Sequence, residues 1–183
     1  MPEEYTGRKF STIFVDGNVP DASGIIKAGK ELAALGITPG FAGNISVRMP
    51  SGILITAGGS PLSSLSGSDI VLVASFEDGI AKAIGAKEPS SELPMHSRIY
   101  SCAQCSAIIH AHDNGLVCNA ARLGIPVAPF APYGTEALAD NACEAIGKSD
   151  IIALEDHGIV SVGKSLDAAL SKIIEKREML KKK

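Results

Sequence analysis

Ala107-Ile-Ile-His-Ala-His-Asp113 sets two imidazoles, His110 and His112, two positions apart behind a β-branched run. Alternate side chains of an extended strand point the same way. An extended Ile108–His112 therefore sends both imidazoles off one face, where they can grip one metal ion, while Ile109 and Ala111 pack on the other. A catalytic zinc keeps one position open for water or substrate, and two histidines are too few to hold it. Further ligands must come from elsewhere. The remaining histidines are His96 and His157, and the acidic candidates are Glu92, Asp113 and Asp156.

Working outward, helical and extended patterns interleave. Upstream, Phe10 to Val15 reads as a short strand, and residues 1–20 as an N-terminal extension or edge strand. Asp21 or Ser23 can cap a helix carrying Ile25, Ile26, Leu32 and Leu35, with Gly36 as its stop. Ile45 to Arg48 and Ile53 to Thr56 read as strands joined at Met49-Pro-Ser-Gly52, and Asp69 to Ala74 as another. Ser90 or Ser91 can cap a helix whose stripe is Leu93, His96, Ile99, Tyr100 and Ala103. Downstream, a helix is expected through Leu116 to Leu123, and Thr135 caps another with Leu138, Ala142 and Ile146 facing inward. Ile151 to Leu154 and Gly158 to Val162 are short strands with Asp156-His157-Gly158 at their turn. Ser165 caps the last helix. The pattern implies a single layered α/β domain over 1–183 with a mixed, mainly antiparallel sheet. Neither G-x-G-x-x-G nor G-x-x-x-x-G-K-[ST] follows a strand, which removes the usual nucleotide-binding signatures.

The 183 residues are 45% hydrophobic and 20% charged with a net charge of −3, an ordinary balance that gives no electrostatic reason to expect nucleic acid. No apolar run reaches membrane length, and Met1-Pro-Glu-Glu lacks the basic and apolar regions of a signal peptide. The protein is therefore expected in the cytoplasm. There Cys102, Cys105, Cys118 and Cys143 should be reduced. Cys102-Ala-Gln-Cys105 lies inside a helical pattern without the turn of a zinc knuckle, so these cysteines are read as small buried residues.

Three separated stretches carry complementary chemistry. His110, His112 and His157 can make a three-nitrogen metal site, and Glu92 can serve as a further ligand, a general base, or each in turn. The loops Gly43-Asn44, Gly58-Gly59 and Ser90-Ser91 offer amides, an Asn side chain and hydroxyls, the donors that bind phosphate when no lysine is used. His96, one turn after Glu92, can support the site without joining it. A metal beside a phosphate site suits a carbonyl substrate anchored at one end and polarised at the other.

Gly43-Asn44-Ile45-Ser46, Ser90-Ser91-Glu92 with His96-x-x-x-Tyr100, His110-Ala-His112, Tyr133-Gly-Thr135 and Asp156-His157-Gly158 stand in the order found in the class II aldolase/adducin family. The sequence resembles that family from about its first helix to its last. The resemblance implies a three-layer αβα domain and a homotetramer with its active sites between subunits. It further implies a Zn2+ ion per subunit held by His110, His112 and His157, joined by Glu92 when substrate is absent. Gly43, Asn44, Gly58, Gly59, Ser90 and Ser91 match its phosphate-binding positions.

The implied reaction is the reversible cleavage of a ketose 1-phosphate to dihydroxyacetone phosphate and a short aldehyde. The metal polarises the carbonyl and Glu92 moves the proton beside it. Relatives of this fold also carry out epimerisation, dehydration or decarboxylation of sugar phosphates, and the adducin branch uses it for assembly. Glu92 stands where the epimerase branch typically shows an aspartate, which favours the aldolase.

Some positions depart from the pattern. Thr56-Ala-Gly-Gly59 lacks the second hydroxyl of the family's Thr-Pro-Thr-Gly loop, unless Ser60 replaces it. A catalytic tyrosine aligns with Phe130, and no tyrosine follows the last helix. Tyr133 is then the nearby candidate for proton delivery, its alternative role being a structural tyrosine before a helix.

Overall fold

The computed structural model describes residues 7–182, and in it the histidine strand lies inside one nine-stranded sheet. The strands are β1 (Ser11–Phe14), β2 (Asn44–Met49), β3 (Gly52–Thr56), β4 (Ile70–Glu77), β5 (Ile80–Ile84), β6 (Ala107–Ala111), β7 (Val127–Ala128), β8 (Ile151–Leu154) and β9 (Gly158–Gly163). The helices are α1 (Ser23–Ala34), α2 (Leu93–Cys102), α3 (Asn114–Cys118), α4 (Glu136–Ile146) and α5 (Leu166–Lys181). Across the sheet the order is β1-β5-β4-β3-β2-β6-β9-β8-β7. The pairs β1–β5 and β7–β8 are parallel and the rest antiparallel, the mixed and mainly antiparallel sheet that the patterns imply.

Period-two alternation sorts the core onto both faces of this sheet. Ile109 and Ala111 of β6 pack with Ile25 and Leu32 of α1, Leu116 of α3 and Ile173 of α5. Ile108, on the other face, packs with Ile99 of α2 and Leu138 and Ala142 of α4. The result is three layers, with α1, α3 and α5 on one side and α2 and α4 on the other. Every residue of β6 is buried, so the strand carrying the first histidine is among the most tightly enclosed elements. Thr135, Ser165 and Asp113 cap α4, α5 and α3 by accepting from the Leu138, Ala168 and Leu116 amides.

Several local expectations are corrected. The strand expected over Asp69–Ala74 runs on to Glu77 and returns as β5 through Asp78-Gly79, whose φ values of 49° and 71° are those of a tight hairpin turn. The helix expected through Leu123 ends at Cys118 and continues as turns. Neither Ser90 nor Ser91 caps α2, because Glu92 itself occupies that position and no side-chain cap bond forms. At α1 the cap residue is Ala22, while Asp21 accepts from the Ser23 amide and hydroxyl. The reduced state expected of all four cysteines is overturned for two of them. α2 and α4 pack side by side, and Cys102 and Cys143 are joined by a disulfide with Cα atoms 6.3 Å apart. Cys105 and Cys118 are free.

Candidate metal centre and active site

The site is built on a polar ladder between β2 and α2. β2 pairs with β6 so that Asn44 stands opposite His110 and Ser46 opposite Ile108, which puts Asn44 and Ser46 on the α2 face. Glu92, His96 and Tyr100 recur every fourth residue and share one side of that helix. The rungs follow: Asn44 Nδ2 donates to Glu92 Oε2 at 2.8 Å, and Ser46 Oγ lies 2.7 Å from His96 Nδ1 and 2.9 Å from the Tyr100 hydroxyl. Arg48 closes the ladder on the Tyr100 carbonyl. Burial raises the Tyr100 phenol and lowers His96 to about 4, the latter partly offset by the Glu92 charge. His96 is thus a neutral buried support, in the role expected of it, and its own partners Ser46 and Tyr100 were quoted in motifs without a role.

The three other histidines converge on Glu92. His110 comes from β6, His112 follows one residue after that strand, and His157 sits in the β8–β9 turn next to Asp156, whose φ is 57°. One ligand atom from each histidine lies within 4.8 Å of the others. His110 Nε2 is 3.1 Å from His112 Nε2 and 3.1 Å from Glu92 Oε2, while His157 Nε2 is 3.3 Å from Glu92 Oε1. His110 Nδ1 lies 2.9 Å from the Ile159 carbonyl, which only accepts, so Nδ1 carries the proton and Nε2 is left with its lone pair facing the cluster. Burial, then the neighbouring imidazoles, pushes His110 well below its usual value and lowers His112 as well. Neutral imidazole is the form that ligates a metal.

Four of the six orphaned buried polar atoms among the described residues belong to this site, the other two being the Thr12 and Thr38 hydroxyls. Asn44 Oδ1, Glu92 Oε1, His96 Nε2 and His157 Nδ1 are buried without a hydrogen-bond partner among the described residues. Three imidazoles, of which burial favours the neutral form of His110 and His112, with a carboxylate beside them, suit a divalent ion of the zinc type. The other acidic candidates point away. Asp113 caps α3 and is paired with Arg177, which also donates to the Leu35 carbonyl at 3.0 Å. Asp156 is exposed and outside the histidine group.

The expected phosphate positions are brought to the same end of the sheet, with some donors already used. Gly43 has φ of 83° and runs so close to His110 that a Cβ there would lie 2.7 Å from the His110 carbonyl oxygen. Ala57 and Pro89 form a β-bridge, across which Gly58 N–H donates to Glu88 and Ser90 N–H to Thr56. Ser90 Oγ accepts the Glu92 amide at 3.3 Å and keeps its own proton to donate. Gly59 and Ser91 amides have no acceptor among the described residues. Ser60 does not replace the missing hydroxyl, because its Oγ donates to Asp69 at 2.9 Å. Tyr133 is buried with its hydroxyl donating to the Gly7 carbonyl at 3.1 Å, and the following Gly134 abuts the Ser91 carbonyl.

Imidazoles able to hold a divalent ion, with a buried carboxylate beside them able to move a proton, are the parts of a metal-assisted enzyme. Residues 23–181 match the family described as Class II Aldolase and Adducin N-terminal domain, and the chain belongs to that family. It is 32% identical over 163 residues to L-fuculose phosphate aldolase of Haemophilus influenzae, covering 80% of this chain and 74% of that one. It is 30% identical over 173 residues to 5-methylthioribulose-1-phosphate/5-deoxyribulose-1-phosphate aldolase of Rhodospirillum rubrum, covering 85% and 76%. A solved L-fuculose 1-phosphate aldolase superposes with a TM-score of 0.75 at 30% identity over 88% of this chain and 84% of that one. The L-fuculose-1-phosphate aldolase of Thermus thermophilus shares the fold, with a TM-score of 0.74 at 24% identity over 86% and 89% of the two chains. These relatives place the protein among the family's lyases.

Proposed function

We propose that this protein is a zinc-dependent class II aldolase that reversibly cleaves a ketose 1-phosphate into dihydroxyacetone phosphate and a short aldehyde. The observation that carries the reading is the Glu92 carboxylate set between His110 and His157 and oriented by Asn44. His110, His112 and His157 would hold the ion, with Glu92 as a further ligand when substrate is absent. When bound, the ion supplies a Lewis acid that polarises the substrate carbonyl, so no lysine is needed for a Schiff base.

Glu92 takes the proton from the hydroxyl-bearing carbon beside the carbonyl in synthesis and returns it in cleavage. Asn44 keeps that carboxylate aimed. Gly43, Asn44, Gly58, Gly59, Ser90 and Ser91 form the phosphate end, where the open donors are the Gly59 and Ser91 amides and the Ser90 and Ser91 hydroxyls. Tyr133 delivers the proton to the aldehyde oxygen, which requires its hydroxyl to leave Gly7.

The relatives named above act on L-fuculose phosphate and on 5-methylthioribulose 1-phosphate or 5-deoxyribulose 1-phosphate, which supports a phosphorylated ketose as the substrate class. The subunits assemble as a homotetramer in this reading. It is supported by the exposed Phe41 in the loop before Gly43 and by the exposed Phe130, whose amide donates to Glu155. No helix among the described residues is long and apolar enough to cross a membrane.

The test is product identity. Metal-loaded protein incubated with ketose 1-phosphates should release dihydroxyacetone phosphate. An isomeric ketose phosphate, a dehydrated product or carbon dioxide in its place would move the same site to epimerase, dehydratase or decarboxylase chemistry.

A further inference from the structure

Arg8 stands outside every motif considered above, yet the fold carries it to the loops read as the phosphate end. Its Nε donates to the Pro89 carbonyl at 3.2 Å and its Nη1 is paired with the Glu88 carboxylate. Two of the three guanidinium nitrogens are thereby fixed against the chain that leads into Ser90 and Ser91. The third, Nη2, has no acceptor among the described residues and faces Gly58. A Cβ built on Gly58 would lie 3.0 Å from Arg8 Nη2, 3.5 Å from the Pro89 oxygen and 4.0 Å from the Ser90 α-carbon.

Gly58 is not in the left-handed region, so its backbone does not call for glycine. What the absent side chain does is leave room for the guanidinium. Arg8 is 15% exposed, with the Phe10 ring 5.4 Å from its guanidinium carbon. A planar, permanently charged fork with a free N–H edge matches a phosphate better than any other side chain. The Gly58 and Ser90 loops continue into Gly59 and Ser91, whose amides also lack acceptors among the described residues. Glu88, half exposed, holds Arg8 in place and lowers the positive potential there.

We propose that Arg8 is a specificity-determining residue that donates through Nη2 to the substrate phosphate and selects phosphorylated over neutral sugars. The inference rests on the aldolase reading of the Gly58 and Ser90 loops. It adds a guanidinium to the neutral amides and hydroxyls of those loops, while Lys9, the nearby lysine, is engaged by the Tyr133 carbonyl.

Calorimetric titration of the metal-loaded full chain with inorganic phosphate tests it. Arg8→Ala should weaken phosphate binding about tenfold or more. Arg8→Lys should fall between, since a point charge replaces the fork. Glu88→Gln should tighten binding, and Lys27→Ala, a remote charge on α1, should leave it unchanged. Equal phosphate affinity in wild type and Arg8→Ala, with loss in Ser91→Ala, would overturn the role of Arg8 while leaving the pocket intact. Wild-type protein that binds no phosphate would overturn the phosphate reading of these loops and the inference with it. If Arg8→Ala fails to fold by thermal unfolding, Glu88→Gln decides: tighter binding supports the role and unchanged binding overturns it.

Discussion

The histidine end of the site hangs on the central strand β6 and the turn between β8 and β9, whereas the end proposed for phosphate is made by longer loops. At the histidine end, β6 is buried along its whole length and His110 is fixed by the Ile159 carbonyl of its neighbour strand. That bond leaves the His110 Nε2 lone pair facing the other two imidazoles. At the end proposed for phosphate, the Gly58 and Ser90 amides are consumed by the bridge that shapes the loops, and what remains is a few amides, hydroxyls and one guanidinium edge. In the proposed reading, the sheet and the start of α2 place the metal-binding and proton-moving groups, and the anchoring of substrate falls to loops, a division that allows substrates to vary.

The comparison is broken most severely at Glu92, which touches both ends through the histidines and Asn44. Glu92→Gln should keep bound metal on the three histidines and lower retro-aldol turnover by about 10²–10⁴-fold, measured as dihydroxyacetone phosphate release. Loss of metal along with turnover would make Glu92 chiefly a ligand. A smaller effect is expected at the seam. Gly43→Ala combines a φ of 83° with a 2.7 Å approach to the His110 oxygen, and should cost about 2–4 kcal/mol in urea unfolding.

Acid sharpens the contrast further, because the burial that lowers histidines acts at the histidine end. His96 falls from 6.5 to about 4, so below pH 6.5 the unfolded chain binds a proton that the folded chain refuses. Stability from this group is full above that pH and is lost as pH falls toward 4, by roughly 3 kcal/mol. His110 and His112, lowered in the same direction, add to the slope in metal-stripped protein. Denaturant titrations at stepped pH check this, and a profile as flat in wild type as in His96→Gln would contradict it. The smallest effect belongs to the loops: Ser91→Ala removes one neutral hydroxyl and should raise the Michaelis constant about tenfold or less, with turnover nearly unchanged.

The parts of this arrangement that were legible in the sequence are those that local periodicity encodes. His110 two residues before His112 announced a shared face, and Ile109 and Ala111 announced the core behind it. The order of short motifs then joined His157 and Glu92 to the pair. What local pattern does not encode is contact across long separations. The rung from Ser46 to His96 spans 50 residues, the disulfide 41 and the Arg8 contact with Pro89 81. Arg8 has no neighbour in sequence that hints at a ligand, and only Gly58, a glycine without a backbone reason, leaves a trace. The β4–β5 turn is different, since Asp78-Gly79 is a recognised hairpin signal that the sequence did contain.

The central claim is that His110, His112 and His157, drawn together beside the buried Glu92 carboxylate, exist to hold a metal. Bound metal per chain, measured on protein purified under mild conditions beside a His110→Ala variant, tests it most directly. The expected result is about one zinc ion per wild-type chain, lost in the variant. Wild-type protein that is metal-free and takes up no added zinc would contradict it.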